Sequence, residues 1–174
     1  KVKKVIPNNV TFGNDYLGIV VTGPNTGGKT VLLKTVGLLC GMVKYGLLIP
    51  ADSDSNVMIY DQIFCDIGDD QSIESNLSTF SSHMQNITKI IDSVTPNSLV
   101  LFDEIGSGTD PIEGSNLAKS ILKYLIEHNV SFITTTHYSQ LKAFAFDEPK
   151  IVNASMEFDQ NTLSPTYHLL LGVS

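Results

Sequence analysis

Eight consecutive residues, Gly23-Pro24-Asn25-Thr26-Gly27-Gly28-Lys29-Thr30, follow the pattern G-x-x-x-x-G-K-S/T and sit between an apolar run and a stretch of helical period. That context is the one in which the pattern binds phosphate. Glycines let successive backbone N–H groups turn inward around phosphate oxygens, and the N-terminal end of the following helix adds a positive dipole. In such a loop Lys29 reaches the β- and γ-phosphate oxygens of a nucleoside triphosphate and the Thr30 hydroxyl binds Mg²⁺. The alternative is an ordinary glycine-rich turn with a surface lysine, which needs neither the strand before it nor the helix after it.

Other groups gather at the same place if the strands run parallel. Asp103-Glu104 follows the apolar run 98–102, so two carboxylates stand at the carboxyl end of a buried strand, where open α/β sheets bind their ligands. Asp103 is placed to hold Mg²⁺ directly or through water, and Glu104 to orient and deprotonate the water that attacks the γ-phosphate. Alone, such a pair is ordinary solvated loop; beside a phosphate loop it reads as chemistry. His137 follows the run 130–135, where an imidazole can sense the γ-phosphate or position water, or simply finish a strand. Ser78-Thr79-Phe80-Ser81-Ser82 clusters hydroxyls at the start of a helix. Capping accounts for one of them; the surplus can reach a phosphate only if a neighbouring subunit supplies it, since one chain has one phosphate loop. On the residues alone the two readings are even. His83 and His128 have no such placement and read as surface or helix-face residues.

These groups need a particular scaffold. Short apolar runs alternate with longer helical stretches, which predicts an α/β fold with a mostly parallel sheet flanked by helices. Residues 17–22 read as a strand and 31–43 as a helix of mixed faces. Phe80, Met84, Ile87, Ile91 and Val94 recur at steps of three or four, marking a helix with one buried stripe that Pro96-Asn97 ends. Asp110-Pro111-Ile112-Glu113 opens another helix, with an acid at the cap and proline in the first turn. Between the first helix and Phe80, 57–60 and 63–65 form a possible pair of short strands. Residues 151–158 and 166–171, separated by Asp159-Gln160-Asn161, read as a C-terminal β-hairpin.

With 174 residues, 42% of them apolar, the chain suits a single domain with one sizeable core. No apolar stretch approaches the length of a bilayer span and no secretory leader opens it, so a soluble, cytoplasmic protein with no membrane contact is expected. A formal charge of −7 without a cluster of Lys and Arg argues against a surface that tracks a phosphate backbone. Nucleic acid, if the parent protein holds any, is expected elsewhere. Cys40 and Cys65 lack metal-ligand spacing and read as reduced core thiols.

In order and spacing, the runs Thr22-Gly23-Pro24-Asn25-Thr26-Gly27-Gly28-Lys29-Thr30, Leu77-Ser78-Thr79-Phe80, Asp103-Glu104-Ile105-Gly106-Ser107-Gly108-Thr109-Asp110 and Thr135-Thr136-His137-Tyr138 resemble the MutS family over nearly the whole chain. Asp110-Pro111-Ile112-Glu113-Gly114, Ser81-Ser82-His83-Met84 and Asn153-Ala154-Ser155-Met156-Glu157-Phe158 are similar to its second bacterial branch, MutS-II, and Asp110-Pro111 departs from the mismatch-repair pattern. The resemblance implies a P-loop NTPase of the ABC-ATPase-like type that dimerises head to tail, with two composite ATP·Mg²⁺ sites at the interface. It implies that Ser78 and Thr79 act in trans, that Gly106, Ser107, Gly108, Thr109 and Asp110 form an interface loop, and that Gln71 lies in an Mg²⁺-sensing loop. Asn8 and His168, or Tyr167 beside it, match adenine-side contacts.

The branch also implies a longer parent protein of which this chain is an excised ATPase domain, with residues 1–174 corresponding to domain V. Such parents act on branched or recombining DNA through other regions, typically carry a downstream Smr nuclease domain, and are connected with stalled ribosomes. The expectation is an enzyme whose ATP hydrolysis drives conformational cycling of a DNA-bound dimer. The alternatives are an ATP-gated dimerisation module with incidental hydrolysis and a mismatch-repair ATPase. A transporter or chromosome-organising motor would carry a Leu-Ser-Gly-Gly-Gln signature where this chain has Leu77-Ser78-Thr79-Phe80.

Overall fold

The computed structural model describes residues 5–13, 15–68 and 76–173. Strands β1 (Gly18–Thr22), β2 (Gln62–Asp66), β3 (Ser98–Phe102), β4 (Ser131–Thr135), β5 (Ile151–Asp159) and β6 (Ser164–Leu171) form one sheet in the order β2-β3-β4-β1-β5-β6. The first five of these positions are joined by parallel pairing, and β6 returns antiparallel on β5. Helices α1 (Lys29–Lys44), α2 (Asn76–Ser93), α3 (Pro111–Glu127) and α4 (Ser139–Asp147) cover the faces. The expected α/β fold with a C-terminal hairpin is therefore the observed one, and the hairpin also joins the main sheet through β1.

Every residue of β1, β3 and β4 is buried, because helices cover both sides of a parallel sheet and its strands become continuous apolar runs. Alternation along those strands still sorts the two sides. Val20, Val100, Phe102 and Phe132 pack with Ile87 of α2, Leu122 of α3 and Leu141 of α4. Their neighbours Ile19, Val21, Leu99, Leu101 and Ile133 pack with Leu32, Leu33 and Cys40 of α1. A Cβ at Gly37 would lie 2.6 Å from Leu101 Cδ1, so glycine lets α1 rest close on the strands that it serves.

Two sequence expectations change, and one helix appears that the sequence did not announce. Residues 57–60 form no strand; only 62–66 does, as the edge strand β2, while Tyr60 is buried against the α1 side of the core. Cys65, on that edge, is exposed rather than a core thiol, whereas Cys40 is buried. Helix α4 has only Leu141, Phe144 and Ala145 buried over nine residues, too short a stripe to show as periodicity. The start of α3 is as expected: Asp110 accepts from the N–H groups of Ile112 (2.9 Å) and Glu113 (3.2 Å), and proline occupies the first turn. Among the described residues no helix is long and apolar enough to cross a membrane.

Candidate phosphate and metal site

The site lies at the carboxyl edge of the sheet, where β1, β3 and β4 all end. After Thr22 the chain turns through Gly23 (φ 119°), a single 3-10 turn at Asn25–Gly27 and Gly28 (φ 90°) before α1 begins at Lys29. The left-handed values at Gly23 and Gly28 are open to glycine and strained for other residues. Lys29 is 2% exposed, and its Nζ donates to Gly23 O at 2.6 Å, so its ammonium is folded back across the loop. Burial pushes its pKa below the ordinary lysine value, while the charges of Glu104 and Asp103 pull it back up. The cation is thus held in the low-dielectric floor of the loop, where an ammonium attracts an anion more strongly than at a surface.

Asp103 is gripped from both sides. Its Oδ2 accepts from Thr30 Oγ1 at 2.5 Å and its Oδ1 from Thr135 Oγ1 at 2.5 Å, while its backbone N–H donates to Asp66 O at 2.9 Å. Residues 105 positions apart in sequence, from α1 and from the ends of β3 and β4, therefore meet on one carboxylate. Thr135 also accepts from the Glu104 N–H at 2.8 Å, and Glu104 adopts the left-handed region at φ 50°. A non-glycine residue there costs about 1 kcal/mol, strain of the kind that collects at functional sites. The Thr135 hydroxyl thus links the Asp103 carboxylate to the Glu104 backbone, a role that a threonine in an apolar strand does not announce in sequence.

The Thr30 hydroxyl and Asp103 carboxylate, already in contact at 2.5 Å, are both hard oxygen donors and would be the residues to hold Mg²⁺, which would supply charge neutralisation on a phosphate. Among the described residues no cluster of three or more His, Cys, Asp or Glu could hold a metal by itself. Mg²⁺ does not require one, since it keeps waters and takes phosphate oxygens as ligands.

The expected interface loop follows directly. In 106–110, Gly106 (φ 80°) packs so closely that a Cβ would lie 2.3 Å from Gly114 O, and a Cβ at Gly108 would lie 3.3 Å from Phe80 Cβ. Tyr138 Oη donates to Gly106 O at 2.9 Å; burial and the charges of Glu104 and Asp110 push that phenol's pKa up and keep it a donor. The loop therefore rests against α2 beside the residues read as acting in trans. Helix α2 begins at Asn76, so Ser78 and Thr79 stand inside its first turn rather than at a cap; their side chains, like that of Asn25, fall outside what the structure describes. Gln71 lies outside the described residues. His137 is exposed beyond the end of β4, its ring tilted 4.5 Å from that of Tyr138.

Of the two readings for His83, the helix face holds and the free surface does not. Its Nδ1 lies 2.8 Å from Asp66 Oδ2, and the same carboxylate accepts from Asn86 Nδ2 at 2.8 Å. His83 is not a free surface residue because β2, which carries Asp66, runs beneath α2. His128 does stay on its own helix, against Tyr124.

The flank expected to meet adenine is assembled from the two ends of the chain. Asn8 Nδ2 donates to Tyr167 O at 3.0 Å, and Asn8 Oδ1 accepts from Leu169 N–H at 2.6 Å, so the amide brackets His168 by its neighbours' backbone. Tyr167 has φ 64°, and its ring approaches Gly28 so closely that a Cβ there would be 3.1 Å from Tyr167 Cδ1. Tyr167 thus stands beside the last glycine of the phosphate loop, with Asn8 bonded to its backbone and His168 next in the strand.

Strand order, phosphate loop and paired acids together define a nucleotide-binding domain of the P-loop fold. The family description MutS domain V matches residues 19–172, and the chain belongs to the MutS family as its ATPase domain. It is similar to proteins named Endonuclease MutS2: 58% identical over 171 residues to that of Finegoldia magna, 57% over 169 to that of Brevibacillus brevis and 58% over 170 to that of Alkaliphilus metalliredigens. These matches cover 97–98% of this chain and place it in the MutS2-like branch. The chain spans 22% of the length of each of these relatives.

Proposed function

We propose that this domain binds ATP with Mg²⁺ and hydrolyses it, and that two copies close head to tail over two nucleotides. The observation that carries the reading is the convergence of Thr30 and Thr135 on Asp103 beside buried Lys29. In this reading Lys29 leaves Gly23 O for the β- and γ-phosphate oxygens, and the backbone N–H groups of 23–28 cradle them. Mg²⁺, held by Thr30 and Asp103, supplies charge neutralisation on the phosphates. Glu104, its backbone fixed by Thr135, takes a proton from the attacking water. His137 stands at the same edge to position that water, and Asn8 and His168 border the base.

Helix α2 follows β2 and the loop 106–110 follows β3, so both face the edge that carries the phosphates. A partner copy meeting that edge would receive Ser78 and Thr79 against its own γ-phosphate. In the parent protein, closure and opening would drive a DNA-bound dimer acting on branched or recombining DNA through regions outside this chain. Ribosome engagement would likewise lie in those regions.

The test measures phosphate release and sedimentation of wild type and Glu104→Gln. The variant should keep ATP binding, slow hydrolysis by about a hundredfold or more, the scale of one general base, and accumulate as an ATP-dependent dimer. Equal hydrolysis in the two proteins would sink the base role of Glu104. A monomer under all nucleotide conditions would sink the composite site.

A further inference from the structure

Asp66 closes β2 and is 8% exposed, yet nothing in the reading above uses it. A carboxylate only accepts, so His83 Nδ1 carries the proton and donates to Oδ2, while Asn86 Nδ2 donates to Oδ1; both distances are 2.8 Å. The two donors stand three residues apart on α2, neighbours on one face. The backbone oxygen of Asp66 in turn receives the Asp103 N–H at 2.9 Å. Asp66, Phe80, His83, Asp103 and Glu104 line one cleft between α2 and the end of β3. Ser78 lies five residues before His83, about 7.5 Å along the helix axis.

From this geometry we propose that Asp66, His83 and Asn86 are positioning residues: a tie through which the position of α2 sets the position of Asp103 and Glu104. A buried carboxylate that loses a donor bears a desolvation cost larger than the net value of the bond. Asp66 therefore follows α2 when α2 moves, and the last rung of the β2–β3 ladder follows Asp66. Contact between the first turn of α2 and a partner's nucleotide would thereby reach the acids of this chain's own site. The tie couples one composite site to the other. This deepens the ATPase reading and rests on it for its kinetic consequence.

The test compares wild type, His83→Ala, His83→Asn and Asn86→Ala. Asparagine places its Nδ2 where the imidazole Nδ1 stood and keeps the donor. Hydrogen exchange of the Asp103 amide reads the tie itself, without nucleotide. It should accelerate about tenfold in His83→Ala and Asn86→Ala and stay near wild type in His83→Asn, with folding checked by circular dichroism. In the kinetic arm kcat for ATP should fall about tenfold in the alanine variants, the cost of a sub-ångström misplacement. The Kd for ATP should stay within about twofold and His83→Asn should restore kcat.

Unchanged Asp103 exchange in both alanine variants overturns the tie, whatever the enzyme does. Faster exchange with wild-type kcat overturns its positioning role, as does a His83→Asn protein as slow as His83→Ala. If wild type itself releases no phosphate, the ATPase reading falls with the coupling built on it, and the exchange arm alone still decides whether α2 holds Asp103.

Discussion

The centre of the site and its adenine-side flank are built in opposite ways. At the centre, Lys29 opens α1 while Asp103 and Thr135 stand at the ends of strands buried on both faces, and hydrogen bonds of 2.5–2.6 Å hold their side chains. At the flank, β6 has no buried residue, and its link to the beginning of the chain is the amide of Asn8, which is itself exposed. Burial makes each central bond costly to lose, because an orphaned polar group there has no water to turn to. At the flank water can replace the lost partner. The groups proposed to hold phosphate and metal are thus stiffly held, whereas the edge proposed to meet the base can adjust.

That contrast sets the scale of what mutations should do. Lys29→Ala should lower ATP affinity by about a hundredfold or more, the effect of removing a charged hydrogen-bond donor from a buried site; calorimetry giving unchanged affinity would remove the phosphate-loop assignment. Thr135→Val keeps the shape but deletes the hydroxyl shared by Asp103 and Glu104. It should cost about 2 kcal/mol in chemical denaturation and slow hydrolysis about tenfold, and a fully active, fully stable variant would show that the carboxylates need no such support.

The buried ammonium also has a signature in pH. Because burial lowers the pKa of Lys29 in the folded state, the full penalty is present below that lowered value, where folded and unfolded chains both carry the proton. As pH rises from there toward the ordinary lysine value, the unfolded chain keeps its proton longer and wild-type stability rises. Nucleotide-free Lys29→Met should therefore be the more stable protein at neutral pH, with an advantage that shrinks as pH rises through this window. Parallel pH profiles for the two Tm values would contradict the burial. The smallest effect is expected at the flank: Asn8→Ala should cost about 1 kcal/mol and reduce discrimination between ATP and GTP a few-fold, leaving Lys29-dependent phosphate binding intact. A loss of ATP binding as large as that of Lys29→Ala would erase the distinction between centre and flank.

Much of the centre is legible in the sequence because it is local. The phosphate loop is eight adjacent residues, Asp103-Glu104 is a pair after an unbroken apolar run, and Asp110-Pro111 announces a helix start that the structure reproduces. Thr135 and Asp66 are not legible because a threonine inside a strand and an aspartate after one look alike whether they face solvent or, as here, Asp103 and α2 respectively. The partner of His83 is hidden for a related reason: helical period says which side of α2 is apolar, and the polar side can face water or another element.

The sequence by itself determined the local chemistry and the alternation of strand and helix, since turn geometry, helix capping and apolar periodicity act over a few residues. Tertiary structure decided which strand ends adjoin. Only the order β2-β3-β4-β1-β5-β6 brings Thr30 and Thr135 to one carboxylate, lays α2 over Asp66 and fastens Asn8 to a strand 159 residues away. Those contacts depend on the packing of whole elements around a shared core, and that packing is a property of the chain taken together.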